Sequence, residues 1–350
     1  MAFLKFNKIG IDGISACIPR KIVRNRECLE LFGEQALKKS IKTTGVIERR
    51  IANENECASD YCYEAAVKLL EELKIDRNSI DILIFVSQTP DYRIPATSIV
   101  LQDRLGLSKS TAAFDINLGC SGYVYGLSVA FAYSLQESIN RVLLLVGDTV
   151  SKFISHKDKT TALLFGDGGT ATLIGENSKF SNSYFSLNSD GSKSSALKIK
   201  AGGYRNPSSI GTLSPVIHEN GNIRNDEQLF MDGTEIFNFT IREVPNDIKR
   251  LLEYSNTNIE DIDFIVYHQA NKFITDYLTK KLKYPLNKVP YSLSKYGNTS
   301  GLSIPLTIVS ELKEKINNNK LILCGFGVGL SWATALIDFS DIYISDLMQL

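Results

Sequence analysis

In the stretch "FDINLGCSGYVYGLSVA" (114–130), Cys120 stands between Gly119 and Ser121-Gly122, where an extended run gives way to a long apolar one. A thiol at the start of a helix lies near unpaired backbone N–H groups and the positive end of the helix dipole. Both stabilise thiolate, so this placement predicts a lowered pKa and a nucleophile. Gly119 suits a sharp turn and Gly122 leaves room beside the sulfur. The other reading is an inert buried cysteine, and the residues alone leave both open. Cys17, Cys28, Cys57, Cys62 and Cys324 lack such a setting and read as space-filling thiols.

His268 is the second candidate. It follows the apolar run "DFIVY" and precedes a helical pattern beginning near "QANKFITDYLTKKL". Ligand-facing residues gather at the C-terminal ends of strands in α/β folds. A histidine hydrogen-bonded at a strand end is the plainer alternative. His156, in "SHKDKT", and His218, in "VIHEN", read as solvated. Asn298, in "YGNTSGLSIP", is a turn residue by itself and gains interest only from its position in the chain. The glycine-rich turn "GFGVG" (325–329) offers a backbone N–H to an oxyanion. "GDGG" (166–169) lacks the spacing of a phosphate loop and reads as a structural turn.

These residues need a scaffold. The runs "IDILIFVSQTP" (80–90), "RVLLLVGDTV" (141–150) and "IDFIVYHQAN" (262–271) read as buried strands. Between them lie helical patterns such as "SDYCYEAAVKLLEELKI" (59–75), with Ser59 or Asp60 as cap, and "NDIKRLLEYSNTN" (246–258). Such alternation predicts an α/β fold with a largely parallel sheet. The two halves, 1–178 and 179–350, echo each other. Each runs from helix to strand to a glycine-rich junction, at Cys120 in the first and at Asn298 in the second. Each closes on strand, glycine turn and strand, "LLFGDGGTATLIG" (163–175) and "LILCGFGVGLSWATALI" (321–337). Two such halves packed face to face bring Cys120 and Asn298 together across their interface. The polar segment 180–230 reads as an irregular excursion, a flap over the cleft.

Composition excludes several classes. The 39 basic and 39 acidic residues cancel, and no basic stripe with interleaved aromatics points to nucleic acid. No run is long and apolar enough for a membrane span, and no leader pattern opens the chain. The six cysteines form no zinc-site spacing. A cytoplasmic, metal-free protein is expected.

Cysteine, histidine and asparagine in this order, in a duplicated α/β chain, resemble the ketoacyl-acyl-carrier-protein synthase III family of the thiolase superfamily. "TGVIERR" (44–50), "DINLGCSGYVYGL", "FGDGGTATLI", "MDGTEIFNF" (231–239), "HQAN" (268–271), "YGNTSG" and "GFGVGLSW" follow the family's motifs in order over nearly the whole chain. The resemblance implies a five-layered αβαβα thiolase-like fold, a homodimer, and no cofactor beyond coenzyme A or acyl-carrier phosphopantetheine thioesters as substrates. It casts Cys120 as the acyl-accepting nucleophile, and the Cys120 and Val328 N–H groups as the oxyanion hole. His268 and Asn298 then hold the second thioester while a malonyl group decarboxylates and condenses. Acyl transfer from Cys120 to a hydroxyl or amine is the alternative on the same fold, and a non-catalytic acyl-binding protein a third. Family members that start fatty-acid synthesis usually carry an aromatic and an arginine where this chain has Lys39 and Thr43. That departure points to a priming group delivered on an acyl carrier protein or a different thioester. Ile94 stands where a bulky aromatic often closes the dimer partner's acyl pocket, which predicts a roomier pocket. Lys272, Lys280, Lys281 and Lys283 are candidates for docking an acidic carrier protein.

Overall fold

The computed structural model describes residues 2–176, 180–316 and 319–350. The boundary placed at 178/179 therefore lies outside the described residues. In the first half the chain forms β1 (Ala2–Phe6), β2 (Ile9–Ile18), α1 (Glu34–Thr44), α2 (Ala58–Glu72), β3 (Ile82–Val86), α3 (Thr97–Arg104) and β4 (Ala112–Ile116). Then come α4 (Gly122–Tyr133), β5 (Arg141–Asp148) and β6 (Gly168–Glu176). The second half supplies β7 (Ser183–Ser189), α5 (Gly233–Ser255), β8 (Phe264–Tyr267), α6 (Lys272–Lys281), α7 (Ser303–Thr307), β9 (Lys320–Gly327) and β10 (Ser331–Asp338). Two short strands, β11 (Tyr343–Ile344) and β12 (Met348–Gln349), end it.

A seven-stranded sheet runs β11-β2-β6-β5-β3-β4, with β12 also on β2, and a five-stranded sheet runs β1-β7-β10-β9-β8. The internal symmetry is direct: β2-β6-β5-β3 corresponds to β7-β10-β9-β8, with the same strand directions. In each, one parallel pair (β3 with β5, β8 with β9) adjoins two antiparallel pairs. The sheets are therefore mixed rather than largely parallel. The reason is local: β6 and β10 follow β5 and β9 through loops rather than crossover helices, so each returns antiparallel. The termini cross over, β1 pairing with β7 and β11 and β12 with β2.

Three apolar clusters define five layers. One packs α2 on the outer face of the first sheet, through Ala65, Leu69, Leu143 and Leu173. The middle cluster seats α4 and α7 between the sheets, through Val124, Leu127, Ile304 and Leu306. The third packs α5 and α6 on the second sheet, through Val244, Leu251, Ile274 and Leu278. The described chain has the αβαβα layering.

Several boundaries differ from expectation. Asp60 does help start α2, accepting the Cys57 N–H at 2.8 Å, although the helix begins at Ala58. The helix expected at 246–258 begins at Gly233, where Asp232 caps it by accepting the Thr234 and Glu235 N–H groups at 3.0 Å. Pro245 lies inside it. Residues 183–189 are a sheet strand, so the irregular excursion starts only beyond it. The first closing hairpin is not within 163–175: β6 pairs with β5 instead, and Phe165 makes an isolated bridge to Asn298 in the other half.

Candidate active site

The bridge between Phe165 and Asn298 clasps the two halves. The Asn298 N–H donates to the Leu164 carbonyl at 2.9 Å, and the Gly166 N–H donates to the Asn298 carbonyl at 3.0 Å. A Cβ on Gly166 would sit 2.1 Å from the Tyr296 carbonyl oxygen, so only glycine lets the strands meet. The expected turn at 166–169 is instead the entry to β6, held by buried Asp167 accepting from the Ser151 and Ala52 N–H groups.

Cys120 stands just before α4. Gly119 and Gly122 are the corners of a turn, the Gly122 N–H donating to the Gly119 carbonyl at 2.6 Å, and both are also closely packed. A Cβ on Gly119 would lie 2.3 Å from Gln88 Oε1, and one on Gly122 would lie 2.7 Å from Val86. From the other half, Gly327 approaches so closely that a Cβ there would be 2.7 Å from the Cys120 sulfur. The Val328 N–H, the Cys120 N–H and the Ser300 hydroxyl lie against the sulfur. Burial nevertheless dominates and pushes the thiol up to about 11, with the nearby Asp148 carboxyl adding to the rise. The lowered pKa expected at the helix start is thus overturned: desolvation of the thiolate outweighs the donors around it.

His268 follows β8 and is buried. Its N–H donates to the Cys324 carbonyl at 2.7 Å, its Nδ1 lies 2.7 Å from Ser303 Oγ, and its ring meets Phe326 edge-on. Burial pushes it down to about 3, against a hydrogen bond to the Ser300 backbone, so the imidazole is neutral at ordinary pH. Asn298, also buried, has its amide oriented at both ends. Oδ1 accepts from the Ser300 N–H at 2.9 Å, while Nδ2 reaches the Ala270 carbonyl at 3.4 Å.

Cys120, His268 and Asn298 line one narrow cavity of about 70 Å³. Its walls are apolar, and Leu197 and Met231, paired across two short strands of the 190–231 excursion, cover it. Of the excursion expected as a flap, these two residues line the cavity. Leu164, Met231 and Gly233 also line a wider outer cavity of about 400 Å³. Lys39, Thr43 and Lys159 stand there, on α1 and the loop facing it. Two residues that sequence reasoning passed over are Ser300, against the thiol, and Asp148, near enough to influence its charge. The only signal for either was position, one after the asparagine junction and one at a strand end. His156 is exposed and His218 half-buried, both away from this cavity.

Matching family models cover residues 114–191 (3-oxoacyl-[acyl-carrier-protein (ACP)] synthase III) and 252–339 (its C-terminal counterpart). A beta-ketoacyl-[acyl-carrier-protein] synthase III of Clostridioides difficile is 34% identical over 95% of this chain and 99% of its own. This chain belongs to that synthase III family. A crystal structure of a 3-oxoacyl-(acyl-carrier protein) synthase from Burkholderia xenovorans superposes with a TM-score of 0.93, at 40% identity over 100% of this chain and 99% of that one. The priming beta-ketosynthase of the R1128 polyketide biosynthetic pathway gives 0.82 at 25% identity, over 95% and 96% of the two chains. The fold is thiolase-like, and the enzyme is a synthase III-type condensing acyltransferase.

The remaining expected residues are spread over the surface. Ile94 is 83% exposed and outside the Cys120 cavity of its own chain. Its neighbour Arg93 donates to the Gly202 carbonyl at 2.9 Å and lies over the Tyr204 ring, tying this loop to the excursion. Lys272, Lys280, Lys281 and Lys283 are all exposed on or just after α6. Lys272 pairs with Asp276 at 2.6 Å, and Lys281 donates to the Ile241 carbonyl at 2.7 Å. Among the described residues, no helix is long and apolar enough to cross a membrane, and no cluster of His, Cys, Asp or Glu could hold a metal.

Proposed function

We propose that Cys120 takes an acyl group from a thioester and passes it to a malonyl thioester by decarboxylative Claisen condensation. The thiol attacks the acyl carbonyl, and the developing oxyanion falls to the N–H groups of Cys120 and Val328, which already converge on the sulfur. The carrier thiol leaves and the acyl-enzyme remains. A malonyl thioester then enters with its carbonyl between His268 and Asn298. In this scheme the Ser303 hydroxyl, 2.7 Å from His268 Nδ1, donates to it and keeps the ring proton on Nε2. Asn298 offers Nδ2, its Oδ1 being engaged by Ser300. Two neutral donors thus meet the enolate oxygen as carbon dioxide departs, and the carbanion attacks the acyl-enzyme, breaking its bond to the Cys120 sulfur and giving a 3-oxoacyl thioester.

The observation carrying this reading is a neutral His268 sharing a cavity with Asn298 and Cys120. Acyl transfer to a hydroxyl or amine needs no enolate-stabilising pair. At the outer cavity, Lys39 and Thr43 provide charge and polarity but no aromatic face for a purine. The acyl donor is therefore carrier-borne, with phosphopantetheine running between Lys39 and Lys159. An acidic carrier docks near α6, where Lys280 and Lys283 stand with Lys272 and Lys281. Ile94 reaches into the acyl pocket of a second copy in a homodimer, and its aliphatic side chain admits a long or branched acyl group. The two halves, 1–178 and 179–350, act together at this one site.

Intact-protein mass spectrometry with matched acyl-coenzyme A and acyl-carrier thioesters, followed by malonyl-carrier, tests the scheme. A mass gain mapped to Cys120, faster from the carrier, and release of a 3-oxoacyl thioester are expected. Loading from neither donor overturns it.

A further inference from the structure

The reaction needs somewhere to put the thiol proton, and His268 is poorly suited. Its ring is neutral with a very weak affinity for a proton, and Nδ1 is already bound to Ser303. Near the sulfur stands a buried carboxyl group that the scheme above leaves without a task.

Asp148 ends β5 and is 1% exposed. One oxygen, Oδ1, is fully engaged. It accepts the Gln88 N–H at 2.7 Å, the Ser87 hydroxyl at 3.1 Å and the Thr89 hydroxyl at 3.4 Å. The other, Oδ2, is buried with no hydrogen-bond partner. The carboxyl group's remaining polar neighbours are the Ser300 hydroxyl and the Gly301 N–H. An orphaned carboxylate oxygen in a native interior calls for an explanation, and catalysis is a common one.

Ser300 completes the path. Its hydroxyl faces both the Cys120 sulfur and Asp148, its N–H orients Asn298, and its backbone meets His268. It holds all of these through a left-handed backbone with φ of 56°, uncommon for a residue other than glycine. Strain of this kind persists where the surroundings over-determine it, typically at functional sites.

We infer that the Ser300 hydroxyl relays the Cys120 thiol proton to Asp148 Oδ2 as the sulfur attacks the acyl thioester. The S–C bond forms while the sulfur's proton passes to Ser300 Oγ and the serine's own proton passes to the carboxylate. When the tetrahedral intermediate collapses, the carbon–sulfur bond to the donor breaks. The leaving sulfur takes the proton back by the same route and departs as a thiol, so no net proton is consumed. Ser300 is the catalytic group here and Asp148 acts through it.

Burial raises the Asp148 carboxyl to about 6, against hydrogen bonds led by Ser300, so it is ionised near neutrality yet still a usable base. The titratable groups that feel it are the Cys120 and Cys62 thiols, the latter on α2 and also pushed up by burial. On β6 its ladder partner is Gly168, and the adjacent Asp167 is turned to Ser151 and Ala52. From β3 and the loop after Asn298 it meets only neutral donors.

The test compares two partial reactions, acylation of Cys120 and decarboxylation of a malonyl thioester, since only the first moves the thiol proton. In the unaltered enzyme, acylation kcat/KM rises with pH through a midpoint near 6 to a plateau above it. Asp148→Asn and Ser300→Ala each abolish that limb and lower the ratio of acylation to decarboxylation at least ~30-fold. A retained limb, or an equal fall in both reactions, overturns the relay and leaves Asp148 a structural anchor. Ser300→Ala touches none of the Oδ1 bonds and carries the test alone should Asp148→Asn not fold. The relay rests on Cys120 being the acylated residue. Peptide mapping of the acyl group in the unaltered enzyme checks that separately: an acyl group elsewhere sinks the proposed function, whereas an unmoved ratio with Cys120 loaded sinks only the relay.

Discussion

The junctions at Cys120 and Asn298 occupy equivalent places in the two halves, yet they are built differently. The first leads into α4, one regular helix whose small and apolar residues are buried between the sheets. The second leads through a 3-10 turn at Ser300–Leu302 into the short α7 and then a π-helical turn at Ile308–Leu312. A regular helix start presents N–H groups to a single atom, which suits a nucleophile and its oxyanion. An irregular one spends its first residues turning polar groups sideways, toward Asn298, His268 and Asp148. The duplication supplies matching places, and in the proposed scheme the difference in helix regularity divides the labour: covalent chemistry in one half, hydrogen-bond control in the other.

That division can be broken from either side. Cys120→Ala deletes the covalent half, and acyl loading should fall on the order of 10⁴-fold or more, to background in intact-mass assays. Asn298→Ala or His268→Ala removes one donor from the other half. Condensation should fall about 10²–10³-fold while loading of Cys120 changes less than tenfold, measured on the same preparation. Equal losses in the two steps would show that the halves do not divide the work.

Gly166→Ala attacks the clasp that holds the halves in register. Its Cβ would collide with the Tyr296 carbonyl, so a loss of about 1–3 kcal/mol is expected in denaturant melts, with condensation falling more than loading. The smallest effect is on pH dependence. His268 is held well below the ordinary imidazole pKa, so the unfolded chain binds its proton first. The stability it contributes is complete above about pH 6.5 and is lost as pH falls toward 3. His268→Gln lacks that loss, so its stability relative to the unaltered enzyme should rise as pH drops from 7 to 5. The expected slope approaches ~1.4 kcal/mol per unit below 6.5, and a flat difference would mean the ring is not desolvated.

Apolar runs made strands β3, β5 and β8 legible, because continuous burial leaves a compositional mark. β7 left none: "SYFSLNS" hides Ser186, whose hydroxyl bonds Asp247 at 2.6 Å, and that partner lies on α5 far along the chain. The early start of α5 was masked by Pro245, which reads as a break although tertiary packing on the second sheet carries the helix through it. At the site, Cys120, His268 and Asn298 were legible by type, order and pseudo-symmetry. The thiol's raised pKa was not, since a local helix start says nothing about desolvation by the opposite half. Nor were Ser300 and Asp148, whose roles depend on which neighbours three-dimensional packing brings to an ordinary hydroxyl and carboxyl.

The crossed termini have a consequence for synthesis. β1 must wait for residues 183–187 before it has a partner, and the outer edge of β2 stays open until residues 343–349 have left the ribosome. Asn298, His268 and the 325–329 turn also arrive late, so Cys120 emerges long before the groups that surround it. A nascent chain carries an unshielded thiol but no working site. Such long-range pairing favours slow folding, because residues 343–349 can close the edge of the seven-stranded sheet only after most of the second half is made.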